Sequence, residues 1–486
     1  MQPEDEAAGR WRFAHALVLE AAYRGLSKEL RADLHVRLAD WMIEEDTDQA
    51  DVDESVARHL ERALHLREEL GLRDERSAAI SERAGELFAT AGSRAFASVD
   101  YITSGDLLGR AAALLPERSP RRLDLIPNLG AALADSGRTE EAEALLSDAV
   151  EQARAAGSER DALRAAVQRL SNRVYRSPTD AEIESPVVEA RAAADVFEAL
   201  DDDVGLAEAS LAISYLESFR GQGAEAHAWA LKALRHALAA GRPREATQAA
   251  GDVVEIASTS IPFDRFGTIA RELLSLNEPI SVSCGHALMA VAALAAGDDA
   301  GFQEHEGRWR GVLDRHGLAW LAAIHGLGIA HVEISVGRAE GAERRLREAR
   351  EFLGGLGNVW WIDLVDGSLC DAVGAQDRPR EFLRLADAFA TSVQMTDRAT
   401  LVRRQLLLAR SHLLRGSVPE AEAAARHALK LVEPSDALPE HANALLMLAE
   451  VLDARGLEDD AAAARSEAIA KLRAKGNLAA VARLGG

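Results

Sequence analysis

The sequence predicts an all-α protein, an α-solenoid of helix pairs wound into a superhelix. Aromatic residues make up 5% of the 486-residue chain while alanine and leucine are abundant, which suits closely packed helices better than sheets. One pattern of alanine and glycine positions also recurs along the chain with the spacing of helix–turn–helix units. No run of alternating valine, isoleucine and threonine points to a sheet.

The clearest repeat lies in residues 123–157, where a glycine separates two helical periods. Gly137 can take the positive φ at which the first helix ends, and small residues at the crossing points let the two helix axes approach closely. The positions that define this copy are Leu129, Gly130, Gly137, Ala142 and Ala149. The same frame returns at Ala330, Gly337, Ala342 and Ala349, at Ala409, Gly416, Ala421 and Ala428, and at Ala449, Gly456, Ala461 and Ala468.

These positions resemble those of the tetratricopeptide repeat, which hold small or apolar residues. The glycines at 297 and 337, and those at 416 and 456, are 40 residues apart, rather than about 34. This spacing is similar to the longer-helix variant of large bacterial regulators. The resemblance implies helix pairs that stack into a superhelix with a concave groove.

We expect three parts along the chain. Residues 1–42 would form a short helical junction segment. Residues 43–55, IEEDTDQADVDES, would form an acidic linker, because they have little apolar surface to bury. Residues 56–486 would form the repeat superhelix.

The junction segment resembles a region of one class of multidomain bacterial proteins, the signal-transduction ATPases with numerous domains. In that class, a phenylalanine–histidine helix closes a winged-helix region, and an arginine-and-histidine helix leads into repeats. The residues that carry this resemblance are Phe13, His15, Leu17, Ala22, Tyr23, Leu26, Arg31, Leu34, His35 and Leu38. Residues 54–71, 196–217 and 468–484 resemble other parts of its branch of ATPase-coupled adenylate/guanylate cyclases and repeat-bearing transcriptional regulators.

The chain lacks the nucleotide-binding and catalytic motifs of that class. It contains no GxxxxGK[ST] phosphate loop, no cyclase domain and no helix-turn-helix after the repeats. The resemblance therefore implies either a truncated or split member, or a start codon further upstream. It also implies a protein partner, an ATPase, cyclase or regulator domain, on which the first helix would pack.

The composition of the chain indicates which cellular compartment and which classes of partner to expect. The net charge of −23 disfavours nucleic acid and anionic membranes as partners. Cys284 and Cys370 are far apart and fit neither a disulfide framework nor a zinc site, which favours a reducing, cytoplasmic compartment. The start of the chain lacks the pattern of a secretory signal, and no uninterrupted apolar run of about 18 residues indicates a membrane span.

No catalytic or metal-binding motif stands out, so we expect neither an enzyme nor a cofactor. HEGRW at 305–309 lacks the second histidine of a zinc-protease helix, and His325 and His331 point to different sides of a helix. The few lysines and many arginines favour forked contacts with carboxylates.

Four of the seven tryptophans gather in the middle of the chain, at Trp309, Trp320, Trp360 and Trp361. Tryptophan is common at recognition sites, so these residues are candidates for lining the groove. The alternative is that their rings fill gaps between alanine-rich helices.

The sequence thus predicts a non-catalytic scaffold and sensor that recognises a protein or a small-molecule ligand and controls an ATPase, a cyclase or transcription. The alternatives are a free-standing small-molecule-binding repeat protein and an enzyme whose site is assembled from distant repeats.

Overall fold

The chain is helical almost throughout its described residues, which confirms the all-α fold class. The computed structural model describes residues 2–5, 10–12, 16–45, 52–173, 180–356, 359–393 and 397–485. Within these ranges the strands are β1 (Gln2–Asp5) and β2 (Arg10–Arg12), which pair antiparallel. Two strands this short form a ribbon rather than a sheet that organises a fold.

The helices follow one another with short turns, as expected for a repeat array. The first twelve are α1 (Ala16–Arg24), α2 (Lys28–Glu45), α3 (Val52–Glu69), α4 (Glu75–Ala97), α5 (Tyr101–Leu114), α6 (Pro120–Asp135), α7 (Thr139–Ala155), α8 (Glu159–Ser171), α9 (Asp180–Ala199), α10 (Asp203–Phe219), α11 (Gly223–Ala239) and α12 (Pro243–Ser260). The others are α13 (Phe266–Ser275), α14 (Pro279–Ala296), α15 (Asp299–His316), α16 (Ala319–Ser335), α17 (Ala339–Leu356), α18 (Val359–Gly374), α19 (Pro379–Ser392), α20 (Arg398–Leu414), α21 (Val418–Val432), α22 (Leu438–Ala454), α23 (Glu458–Lys475) and α24 (Leu478–Arg483).

The chain divides into two compact units. Unit 1 comprises Met1–Phe96 and Thr103–Leu129, and unit 2 comprises Ala97–Ile102 and Gly130–Gly486. Of the expected acidic linker, residues 43–45 end α2, residues 52–55 belong to α3, and residues 46–51 lie outside the described residues. The three-part division stays a prediction.

In unit 1, the expected junction segment packs on the helices that follow it. Ala39 of α2 is fully buried in an apolar cluster with Val56 and Leu60 of α3. His35 bridges the segment, since its Nε2 lies 2.9 Å from the Tyr23 hydroxyl and its Nδ1 lies 3.0 Å from Nδ1 of His59. The predicted junction residues Phe13 and His15 lie outside the described residues.

The repeat frame has a simple physical basis in unit 2. Gly137, Gly337, Gly416 and Gly456 all have φ between 73° and 87°, a conformation that costs other residues free energy and that ends each first helix. The alanines of the frame are buried, from 0% to 6% exposed. The methyl groups therefore lie where neighbouring helices cross, which keeps the helix axes close.

Helix α12 runs through the interior of unit 2. It is buried along most of its length and packs against α10, α11, α14, α16 and α22, helices from distant parts of the chain. A parallel-stacked row of helix pairs would leave one face of such a helix in solvent. Unit 2 is therefore a superhelix whose later repeats return to its earlier ones.

Two sets of polar contacts close this superhelix. The Asp436 carboxylate accepts hydrogen bonds from the backbone N–H groups of Gly223 (2.9 Å) and Ala224 (2.7 Å), at the N-terminus of α11. The Lys475 ammonium, fully buried, donates to the carbonyls of Ala257 (2.7 Å) and Ile261 at the end of α12. The carboxylate accepts from free N–H groups at a helix N-terminus, and the lysine donates to free carbonyls at a helix C-terminus. Each contact therefore pairs backbone groups that a helix end leaves unpaired.

Helix α14 is the one described helix that is long and apolar enough to cross a membrane by length and composition. It is 56% buried inside the protein and packs against α12, α13, α15 and α16. Burial of this kind is typical of a core helix.

Candidate functional site

Unit 2 contains a partly open cavity of about 220 Å³. Side chains of α12, α16, α18, α20, α22 and α23 line it, together with Asn477 and Arg483 near the end of the chain. Apolar walls come from Val402 and Leu407 of α20 and Met447 of α22. The site thus joins helices from well separated repeats.

Arg403 on α20 is the central cation of the cavity. Its Nε lies 3.2 Å from Oδ2 of Asp371 on α18, and its Nη2 lies 3.3 Å from Nε2 of His331 on α16. Another of its nitrogens lies 3.5 Å from the Leu364 carbonyl. The guanidinium is therefore already engaged by a carboxylate and by neutral acceptors.

Three further carboxyl groups surround Arg403. Burial, together with the neighbouring charge of Glu440, raises the pKa of Glu255 on α12 to about 7, against the opposing effect of Arg403. Burial likewise raises the pKa values of Glu440 and Asp397. Arg403 lies near all four acids, Asp371 included, while Lys475 adds positive charge close to Glu440 and Arg410 adds it close to Asp371.

Several enclosed polar atoms here have no hydrogen-bond partner among the described residues. They are Oε2 of Glu440, Oδ2 of Asp397 and Nδ1 of His331. Burial lowers the pKa of His331 to about 3, so its ring is neutral at physiological pH. Buried polar groups are ordinarily paired, so an unpaired carboxyl oxygen beside a cavity indicates room for a donor that the described residues do not supply.

Three of the tryptophan candidates are buried in unit 2, away from this cavity's lining. Trp309 is 1% exposed and donates its indole N–H to Nδ1 of His325, at 3.1 Å. Trp320 and Trp361 are 4% and 7% exposed, and their rings meet edge to face at 5.9 Å. This placement is what the gap-filling alternative expects, and a role in recognition stays a prediction for them.

Trp360 is the partly exposed member of the set. Its ring centroid lies 6.5 Å from that of Tyr215 and 6.3 Å from that of Phe219, both on α10. The ring therefore joins α18 to a helix more than a hundred residues earlier in the chain.

The structure brings together one cysteine–histidine pair that the sequence spacing concealed. Sγ of Cys284 lies 3.7 Å from Nε2 of His325. Burial raises the pKa of the thiol well above its usual range and lowers that of the imidazole to about 4, so both groups are neutral. An activated nucleophile needs the opposite shifts, so this pair serves packing rather than catalysis.

Sequence reasoning missed the charged residues of the cavity and of its surroundings. Asp371, Arg403 and Glu440 line the cavity and Glu255 and Asp397 lie nearby, and all five are far apart in sequence and belong to no motif. The available signal was a set of charged residues on helices that are otherwise rich in alanine and leucine. In the part of the chain that the structure describes, no group of three or more histidine, cysteine, aspartate or glutamate side chains is arranged to hold a metal ion.

No protein-family model and no curated protein matches the chain. Among solved structures, the apo form of the quorum sensor NprR from B. thuringiensis is 10% identical, with a TM-score of 0.37 over 72% of this chain and 98% of that one. Yeast Tom70 is 14% identical, with a TM-score of 0.32 over 94% and 96% of the two chains. The TPR domain of P58(IPK) is 13% identical, with a TM-score of 0.21 over 86% and 98%. Likeness at this level carries no argument about function, and it is the chain's own helix pairing that establishes the repeat fold.

Proposed function

We propose that the chain is a non-catalytic repeat scaffold and sensor in bacterial signal transduction. It recognises a ligand in the cavity of unit 2 and a protein partner on unit 1, and it controls an attached or separately encoded ATPase, cyclase or transcriptional output. We place this activity in the cytoplasm, in keeping with the reduced state of both cysteines.

The observation that carries this proposal is the cavity built from distant repeats. A ligand that touches α12, α16, α20 and α22 together binds one arrangement of those helices better than any other. Ligand binding then shifts the population of superhelix arrangements by the difference in affinity between them.

An exposed apolar stripe on α2 supports a protein partner. Leu30, Leu34, Leu38 and Trp41 follow one another at helical spacing and are 45%, 39%, 38% and 49% exposed. The opposite face of α2 is already buried through Ala32 and Ala39. A contiguous apolar stripe in addition to a packed face is typical of an interaction surface.

Co-purification of the tagged chain from its native cells, followed by mass spectrometry, tests the proposal. The variants are L34D/L38D, which places charge in the stripe, and the control A78D/A79D, which adds the same charge at exposed positions of α4. We expect the wild type and the control to recover an ATPase, cyclase or regulator polypeptide, and L34D/L38D to lose it. Recovery of the bare chain in all three cases contradicts partner control and favours a free-standing small-molecule binder.

The enzyme alternative has one observation in its favour. Glu255, with a pKa of about 7, has the proton affinity of a general base at neutral pH. Turnover of a nucleotide by the purified chain, lost in Glu255→Gln, would favour an enzyme over a scaffold.

A further inference from the structure

We infer that the cavity of unit 2 binds a small organic cation, an ammonium or guanidinium group carried on an apolar body. The inference rests on the proposed recognition role of this cavity and names the chemical class of its occupant.

The cavity holds a carboxyl oxygen for which the described residues supply no donor. Glu440 lines the cavity, and its Oε2 has no hydrogen-bond partner among the described residues. Asp397, whose Oδ1 accepts from the backbone N–H of Thr400 at 2.9 Å, adds acidic character near Arg403 but is not among the residues that line the cavity. An ammonium or guanidinium supplies several N–H donors and a positive charge at once, whereas a neutral hydroxyl supplies one donor and no charge.

The cations that line the cavity do not meet this need. Arg403 is engaged by Asp371, by His331 and by the Leu364 carbonyl. Arg410 donates to the Gly374 carbonyl at 2.8 Å, and its guanidinium lies 5.5 Å from the centre of the Phe382 ring. Arg483 donates from its Nε to the Ser335 carbonyl at 3.2 Å, and the nearby Lys475 donates to the Ala257 and Ile261 carbonyls. An anionic ligand would have to compete with these partners and approach the carboxyl groups around Arg403, whereas a cation is attracted by them.

The remaining walls favour an apolar body behind the charged group. Phe263, Val402, Leu406, Leu446 and Met447 line the same cavity as Glu440. Apolar contact contributes about 25 cal/mol for each Å² removed from water, so an alkyl chain adds affinity that a bare ammonium ion lacks. The combination of a carboxyl group at one side and aliphatic walls elsewhere fits an alkylamine.

Isothermal titration of the full chain with n-hexylamine tests the inference, with n-hexanol as the neutral analogue and hexanoate as the anionic one. We expect n-hexylamine to bind and n-hexanol to bind at least about tenfold more weakly, the factor of one charge-assisted hydrogen bond. Glu440→Gln should weaken n-hexylamine binding by about tenfold and leave n-hexanol unchanged. Glu467→Gln, at an exposed position of α23, is the matched control and should bind as the wild type does.

Circular dichroism and thermal melting establish that each variant is folded. Glu255→Gln removes a second carboxyl group near Arg403 and serves as an independent variant. Absence of n-hexylamine binding, or equal binding of n-hexylamine and n-hexanol, overturns the inference. Tighter binding of hexanoate overturns it as well but leaves a ligand-binding cavity in place. Absence of a partner from the wild-type co-purification, with n-hexylamine binding intact, overturns partner control alone.

Discussion

Glu255 shows how one buried carboxyl group near the cavity affects the stability of unit 2. Its carboxyl group lies among Asp397, Glu440 and the shared Arg403, and burial is the largest cause of its raised pKa. A protein that keeps such a group in its interior carries a free-energy cost that a better-packed core would avoid. Costs of this kind concentrate at functional sites.

The cost should depend on pH. The pKa of Glu255 is about 7 in the folded protein against an ordinary value of 4.5, so stability is lost as pH rises from about 4.5 through 7. Glu255→Gln removes this dependence, and we expect its free energy of unfolding relative to the wild type to rise by up to about 3 kcal/mol between pH 5 and pH 8. Urea unfolding at both pH values measures it, with Glu467→Gln as the control. A difference that does not change with pH would contradict the assignment.

The many arginines predicted forked contacts, and Arg164 provides one in the interior. It is 1% exposed, and its Nε and Nη2 donate to the two carboxylate oxygens of Glu208 at 2.8 and 2.6 Å. Lysine cannot reproduce this geometry, so we expect Arg164→Lys to lower the free energy of unfolding by about 2–3 kcal/mol. Arg138 and Glu141 form an exposed pair that serves as the comparison. Arg138→Lys should change the free energy of unfolding by less than about 0.5 kcal/mol. Equal effects in chemical denaturation would show that the buried fork adds nothing.

At the scale of elements, the helices follow from local patterns, whereas their interior contacts do not. Gly337 and Ala342 lie within a few residues of each other, so their roles at a helix end and a helix crossing could be predicted from spacing alone. The burial of α12 depends on the rotation between successive helix pairs. The small rotations add up over many repeats to the curvature of the superhelix. Glu255, Asp397 and Glu440 meet only because of that summed curvature, so their convergence could not be predicted from the sequence.

The crossing of α12 and α16 can be tested at one glycine. A Cβ added to Gly251 would lie 2.7 Å from Cζ3 of Trp320 and 3.1 Å from Cγ2 of Ile324. We expect Gly251→Ala to lower the free energy of unfolding by about 1–3 kcal/mol through overpacking. Gly307→Ala on α15 meets no atom within 4 Å and should raise it by about 0.5–1 kcal/mol, because alanine favours the helix. Stabilisation by both substitutions in thermal melts would contradict the close approach of the two helices.

At the scale of the molecule, the closure of unit 2 links its cavity to distant repeats. Asp436 ties the turn before α22 to the first residues of α11, and the carbonyl of Arg220 accepts from Nε of Arg398 at 2.7 Å. Glu440, in the first turn of α22, lines the cavity. A ligand that draws Glu440 toward α12 would therefore favour the closed arrangement of unit 2. In this way, binding in the cavity would change the contacts at the surface of the unit.

Amide hydrogen exchange at the closure contact tests this account most directly. The measurement compares segments 221–226 and 432–438 with and without n-hexylamine, using Asp436→Ala as the open reference and residues 79–96 of unit 1 as the internal control. We predict that n-hexylamine slows exchange in both closure segments, that n-hexanol does not, and that Asp436→Ala exchanges fastest. Unchanged exchange in both segments, with n-hexylamine bound, would contradict a sensor that works through closure.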